Sequence, residues 1–302
     1  MQPNANTSLL HLGIDLGGTK IEGIVLAADG SELLRKRIPT EQELGYRHIL
    51  GRIQLLHNEL MRFAAGRPTT FGIGTPGAVS PRTGRLKNSN TVCMNGQPLR
   101  EDLEKLLGRK IEIQNDANCF AMAEALLGAG RGKKLVFGVI MGTGCGGGIV
   151  YKGEVITGPQ SIAGEWGHMS IDPAGPACYC GQRGCVETYI SGGGLEARYA
   201  GQYGTKKSLK QIVADYRAGE PPATAFMETF FRRFGRALAN VIDILDPDAV
   251  ILGGGVSNID ELYTAGVAEV GRFVFSDSLE TPILKNQLGD SAGVIGAALI
   301  GI

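Results

Sequence analysis

Twice in this chain an apolar strand runs into a turn of glycine and threonine and comes back as a second strand. The first instance is Leu10 to Leu16, then Gly17-Gly18-Thr19, then Ile21 to Leu26. The second is Leu135 to Met141, then Gly142-Thr143-Gly144-Cys145-Gly146-Gly147-Gly148, then Ile149 to Ile156 with a turn at Lys152-Gly153. This repeat narrows the fold more than any other feature. It implies two related α/β units, each with a phosphate-sized loop. Glycines let backbone N–H groups converge on an anion with no Cβ in the way. A third run, Gly253-Gly254-Gly255, follows the strand Ala249 to Leu252. Each loop alone could be a plain tight hairpin; three in one chain favour phosphate binding.

Around these units the pattern is regular. A turn at Asp29-Gly30 and a strand at Leu33 to Ile38 extend the first pair into a meander. Ile49, Ile53, Leu56, Leu60 and Phe63 recur at helical spacing, which predicts a helix over Gly45 to Ala65 with those residues inward. A short strand, Thr70 to Gly74, ends at Thr75-Pro76-Gly77; a helix at Arg100 to Leu107 and a strand at Lys110 to Gln114 follow. Asn115-Asp116 then introduces a helix from Ala117 to Leu127. Phe226 to Leu245 reads as a long amphipathic helix stopped by Asp246-Pro247, and Asp290 is placed to cap a last helix, Ala292 to Ile300.

Composition excludes whole classes. Glycine numbers 46 in 302 residues, about twice the usual share of ~7%. It has no three-residue period, so the chain is no collagen. Lys plus Arg and Asp plus Glu are both 30, for zero net charge. That balance argues against a nucleic-acid partner, and the apolar content against disorder. The longest uncharged apolar run, Leu135 to Tyr151, holds six glycines and is too polar to span a membrane. The N-terminal stretch has no basic or cleavable leader, so a cytoplasmic location is expected. Gly142-x-Gly144-x-x-Gly147 matches the dinucleotide fingerprint formally, but a strand follows where that motif opens a helix. No GxxxxGK[ST] sequence is present.

Three of the six cysteines, Cys178, Cys180 and Cys185, lie within eight residues, and His168 is ten residues upstream of Cys178. Three thiolates and an imidazole make a closed tetrahedral zinc set. The single residue between Cys178 and Cys180 is shorter than usual spacing, and a disulfide or buried thiols are the alternatives. Asp116 is placed for acid–base work at a strand-to-helix junction, although bare sequence reads it more simply as a helix cap. In the first loop, Thr19 and Lys20 suit phosphates, and Asp15 could hold Mg²⁺ through water.

Asp15-Leu-Gly-Gly-Thr-Lys20 with Gly142-Thr-Gly144 resembles the two phosphate loops of the actin/Hsp70/hexokinase superfamily. Cys178-Tyr-Cys-Gly-Gln-Arg-Gly-Cys-Val-Glu187 matches the signature CxCGxxGCxE of the ROK family of sugar kinases and sugar-responsive repressors. The resemblance runs over essentially the whole chain. It implies an α/β, ribonuclease H-like fold of two domains with a cleft between them. The small domain would be 1–118 plus 291–302; the large one would be 119–290, with a zinc segment at 168–185. ATP and Mg²⁺ would meet Asp15, Gly17, Gly18, Thr19, Lys20, Gly142, Thr143, Gly144, Gly254 and Gly255. Asp116 would be the catalytic base. The sugar would meet Gly77, Asn90, Asn115, Asp116, Glu165, His168 and Glu187. Structural Zn²⁺ would take His168, Cys178, Cys180 and Cys185, and the family's habit implies a homodimer. Trp166 is expected to pack rather than stack on sugar. On this view the glycine surplus is loop room for ATP and sugar.

The run from Ser80 to Pro98 most resembles bacterial fructokinases of the family, which ranks fructose first. N-acetylglucosamine kinase is the nearest rival, then glucokinase. A sugar-responsive regulator is the alternative of another class. The zero net charge and the roughly ten residues before the first strand argue against a DNA-binding arm.

Overall fold

The computed structural model describes residues 8–301. The leaderless reading of the N-terminus rests mainly on residues 1–7, and these, with residue 302 of the expected small domain, lie outside the described residues. In chain order the strands are β1 Leu10–Leu16, β2 Lys20–Ala27, β3 Glu32–Pro39, β4 Thr69–Thr75, β5 Ala78–Val79, β6 Leu86–Lys87, β7 Glu112–Asn115, β8 Leu135–Met141, β9 Cys145–Tyr151, β10 Glu154–Val155, β11 Ala249–Gly253 and β12 Ile283–Lys285. The helices are α1 Tyr46–Ala64, α2 Leu99–Leu107, α3 Asp116–Leu126, α4 Glu187–Ile190, α5 Gly192–Tyr203, α6 Leu209–Arg217, α7 Pro221–Leu245, α8 Ala265–Phe273 and α9 Ala292–Leu299.

The repeated motif builds two five-stranded sheets of one design. Their orders are β3-β2-β1-β4-β7 and β10-β9-β8-β11-β12. In each, a hairpin pairs antiparallel, and the next two strands add parallel to its first strand. This is the two-unit α/β fold of the actin and hexokinase type.

Helices α3 and α9 lie against each other between the sheets, α3 on β8 and β9 and α9 on β1 and β4. On the far side of the first sheet, Ile49, Ile53, Leu56 and Leu60 of α1 pack on Leu10, Leu12, Ile14 and Leu16. On the far side of the second, α7 packs on Phe137, Val139 and Met141. The central strands are therefore apolar on both faces, as sheets covered on both sides must be.

The central layer explains much of the glycine. A Cβ on Gly13 or Gly72 would collide with the backbone of Ala298 or Ala297 in α9. One on Gly138 would stand 2.8 Å from the Ala121 Cα of α3, and one on Gly296 would run into the Cys119 carbonyl. The surplus serves helix-on-sheet approach as well as loops, which corrects the expectation that loops and pocket account for it.

Other differences have local causes. The second hairpin returns at Cys145, so Gly146, Gly147 and Gly148 lie inside β9 and not in the loop. α7 starts at Pro221, earlier than its first phenylalanine, because prolines at its first turn need no N–H partner. Phe63 is 38% exposed, with the Arg67 guanidinium 5.7 Å from its ring, and Ala64 takes the inward place. Asp290 does not cap α9: a short turn, Gly289–Ser291, runs directly into the helix.

Candidate active site

The site begins at the end of β7. Asn115 keeps extended backbone there, and its Oδ1 accepts the Asn118 N–H at 2.8 Å, capping α3. Asp116 is thus the first helical residue and not the cap. Its Oδ1 accepts only the adjacent Ala117 N–H, at 2.8 Å. The residue is exposed at the end of the sheet. The crowded walls still strip away water, and that desolvation, with the Glu165 charge, pushes its pKa above the usual carboxylate range.

Asp15 ends β1 on the same face. Gly74 and Gly293 flank it; a Cβ on either would stand 3.2 or 3.0 Å from its oxygens. Desolvation, then the Asp116 and Glu22 charges, raise its pKa to about 7 against the opposing pull of Lys20. A buried carboxylate that feels the Asp116 charge, beside a phosphate-sized loop, offers oxygen donors that suit Mg²⁺.

The first loop is a tight turn. Gly17 N–H bonds the Lys20 carbonyl at 2.9 Å, and the Thr40 hydroxyl donates to the Gly17 carbonyl at 2.7 Å. Gly18 and exposed Thr19 leave the turn open. The Lys20 ammonium lies 3.5 Å from Glu22, a buried carboxylate that Arg35 and Arg37 also engage. No sequence signal singles out Thr91. Among the described residues its buried hydroxyl has no hydrogen-bond partner, and it lies 3.6 Å from where a Gly18 Cβ would stand.

The second loop, Gly142 to Gly144, closes with the Gly142 N–H on the Gly144 carbonyl at 2.9 Å. Gly254 packs on the backbone of Met141 in a left-handed conformation, φ 79°, which brings Gly255 beside the loop. Gly142, Thr143 and Gly255 share a cavity of about 990 Å³ with Glu196, Lys210, Arg217 and Asn258. Sequence reasoning missed these last four. They come from α5, α6 and the turn after β11, and no short motif joins them.

On the other side of the cleft, Glu165 Oε1 sits 3.5 Å from Asn115 Nδ2, linking two expected sugar residues. Gly77, φ 83°, turns tightly against the backbone of Lys87 to Ser89. Asn90 is exposed nearby and makes no bond to the other expected sugar residues. Trp166 is buried, edge-on to Phe137, and its Nε1 donates to the Gly146 carbonyl at 3.1 Å, so it packs.

His168, Cys178, Cys180 and Cys185 converge, their ligand atoms all within 4.8 Å of one another. The Cys180–Cys185 sulfurs are 3.6 Å apart, and Cys178 Sγ is 3.7 Å from His168 Nδ1. With Zn–S bonds of ~2.3 Å, tetrahedral edges are about 3.8 Å, so the set fits zinc. A disulfide at ~2.05 Å does not match these spacings. His168 Nε2, turned from the thiols, meets the Tyr179 hydroxyl at 3.1 Å. Glu187 Oε2 accepts the Cys145 N–H at 2.8 Å, so this carboxylate reaches the second loop.

Comparison with known proteins agrees with this architecture. The model of the ROK family matches residues 11–301. An N-acetyl-D-glucosamine kinase of Yersinia pseudotuberculosis is 37% identical, over 96% of this chain and 98% of that one. The ROK hexokinase of Thermus thermophilus superposes with a TM-score of 0.88 at 34% identity, covering 97% of each chain. A ROK glucokinase of Streptomyces griseus, solved with glucose and AMPPNP, gives 0.77 at 29% identity, over 97% of this chain and 99% of that one. With two matching sheets, a carboxylate-lined cleft and relatives along its whole length, this chain belongs to the ROK family.

Proposed function

We propose that this chain is an ATP-dependent N-acetyl-D-glucosamine kinase. ATP-dependent sugar phosphorylation follows from the family and its kinase members. The choice of sugar rests on relatives at 36–37% identity named N-acetyl-D-glucosamine kinases. They favour the rival reading of the sequence over fructose, which keeps second place on the run Ser80 to Pro98.

The observation that carries the chemistry is Asp116, a carboxylate at the cleft with no capping duty. It takes the proton of a sugar hydroxyl as that oxygen bonds the γ-phosphorus and the bond to the β–γ bridging oxygen breaks, releasing ADP. Asn115, Glu165 and Glu187 offer acceptors and donors to the remaining hydroxyls. Both glycine loops hold phosphates, and the cavity beside Thr143 takes the nucleoside. Mg²⁺, when bound, neutralises phosphate charge, and Asp15 is the residue that would hold it. The His168–Cys185 set shapes the sugar side without joining the chemistry, since four protein ligands leave no open position. Units 1–118 plus 291–302 and 119–290 close over the substrates, and the molecule works as a homodimer.

An ADP-release assay across N-acetylglucosamine, fructose, mannose and glucose tests this. The highest kcat/KM is expected on N-acetylglucosamine. A preference for fructose restores the second reading, and no turnover on any of the four removes the proposal.

A further inference from the structure

The second phosphate loop is stitched to the chain that follows the cysteine cluster. Glu187 Oε2 holds the Cys145 N–H at 2.8 Å, just past the loop. A Cβ on Gly144 would stand 2.7 Å from that same oxygen, so only glycine leaves the carboxylate its place. At the loop's start, the Gly192 N–H donates to the Gly142 carbonyl at 2.7 Å. The short α4–α5 pair therefore grips both ends of the loop. Among the described residues, Oε1 of Glu187 makes no hydrogen bond, and the residue is only half-buried. Glu187 thus has one oxygen on the nucleotide loop and one free to accept from a ligand.

Gly167, two residues past Glu165, packs directly on Cys145, where a Cβ would run into the Cys145 carbonyl, so the Glu165 turn and Glu187 meet the same residue. Glu165 in turn reaches Asn115, beside Asp116. A polyhydroxylated ligand beside these residues bonds Glu187 and so bears directly on the backbone that meets phosphate.

We propose that Glu187 is a positioning residue that couples the sugar subsite to the ATP phosphate loop. This deepens the kinase reading and rests on it. A sugar hydroxyl on Oε1 fixes the carboxylate, Oε2 fixes the Cys145 N–H, and the loop is then set for the nucleotide before it arrives. Such coupling is reciprocal: each substrate tightens the other by the same factor.

The test measures the Kd of a non-hydrolysable ATP analogue with and without saturating sugar, using the hexose the wild type phosphorylates. Wild type should show tightening on the order of tenfold. In Glu187→Ala and in Gly144→Ala, which breaks the contact from the nucleotide side, the factor should fall to about one. Asp116→Asn should keep it, because that residue touches the sugar and not the loop. A folded Glu187→Ala that retains the tightening overturns the inference, and so does a wild type without any. If Glu187→Ala does not fold, Gly144→Ala alone decides. A wild type that phosphorylates no hexose instead defeats the kinase reading.

Discussion

Asn115 caps α3 by accepting the Asn118 N–H at 2.8 Å, and this relieves Asp116 of the task. Either residue could have been the cap by type. With the cap assigned to Asn115, the Asp116 carboxylate has no capping bond to make, and its Oδ1 accepts only the adjacent Ala117 N–H. Asp116→Asn should cut kcat by about 10²–10⁴-fold while sugar affinity changes little. In the wild type, the elevated Asp116 pKa should bring the acid limb of kcat/KM above the range of an ordinary aspartate, with rate lost as pH falls through it. Near-normal turnover in the Asp116→Asn variant removes the assignment.

Asp15 should act against stability and for function. Its pKa rises from 3.8 to about 7 in the fold. A carboxyl with a raised folded pKa favours folding below its unfolded value, and that contribution fades as pH rises through the folded value. At pH 8 the ionised Asp15 is therefore a liability to the ligand-free protein. Asp15→Asn should raise Tm by roughly 3 °C at pH 8, with the gain shrinking towards pH 4, and should lose turnover. Thermal melts across pH check this. A gain that does not vary with pH points to a cause other than ionisation.

The legibility of the chain tracks how local each signal is. β8 is readable to the residue because Leu135–Met141 is an unbroken apolar run between Lys134 and Gly142. The span 187–217 is not. Gly192, Gly193 and Gly194 look like a loop, yet they open α5, with Ser191 accepting the Gly194 N–H at 3.0 Å. Gly192 and Gly193 are small because the second loop lies on them; a Cβ on Gly193 would stand 2.9 Å from the Thr143 carbonyl. That requirement comes from residues 50 positions away and leaves no periodic trace. The same holds at the site. Asp116 and the cysteine cluster sit in short ordered motifs, whereas Glu196, Lys210 and Arg217 become neighbours only through the packing of α5 and α6.

The cysteine cluster should bind about one zinc per chain. Cys178 and Cys185 are buried and Cys180 is exposed, so Cys180→Ser removes a ligand with little loss of packing. Metal analysis should then find zinc largely gone. The segment 168–185 should become sensitive to protease, because past His168 it is built of turns and two isolated strand bridges and not of helix or sheet. An equally resistant, metal-free wild type would show that the cluster is not a zinc site.

His57 should set a limit on acid stability. It is buried on α1, edge-on to Phe71 with ring centroids 4.8 Å apart, and among the described residues neither ring nitrogen has a hydrogen-bond partner. Burial, then the Arg109 charge, lowers its pKa below 6.5. A base with a depressed folded pKa adds stability above its unfolded pKa and loses it as pH falls. Unfolding midpoints in urea should therefore drop as pH falls below about 6.5. His57→Leu should flatten that drop, and an unchanged slope in the variant would assign it to other groups.

Gly296 and Gly201 are both helical glycines, but the space around them is opposite. At Gly296 a Cβ would penetrate the Cys119 carbonyl, where α9 crosses α3 between the sheets. At exposed Gly201 in α5 a Cβ meets nothing within 4 Å, and no left-handed φ is required. Helix propensity alone favours alanine over glycine by about 1 kcal/mol at either site. Gly201→Ala should therefore stabilise by roughly 0.5–1 kcal/mol. Gly296→Ala must separate α3 from α9 or shift both, at a cost of several kcal/mol by analogy with overpacked cores at ~1–3 kcal/mol or more. Denaturant melts of the two variants should move in opposite directions. If Gly296→Ala proves neutral, the close approach of these helices does not explain why the chain places glycine in its central layer.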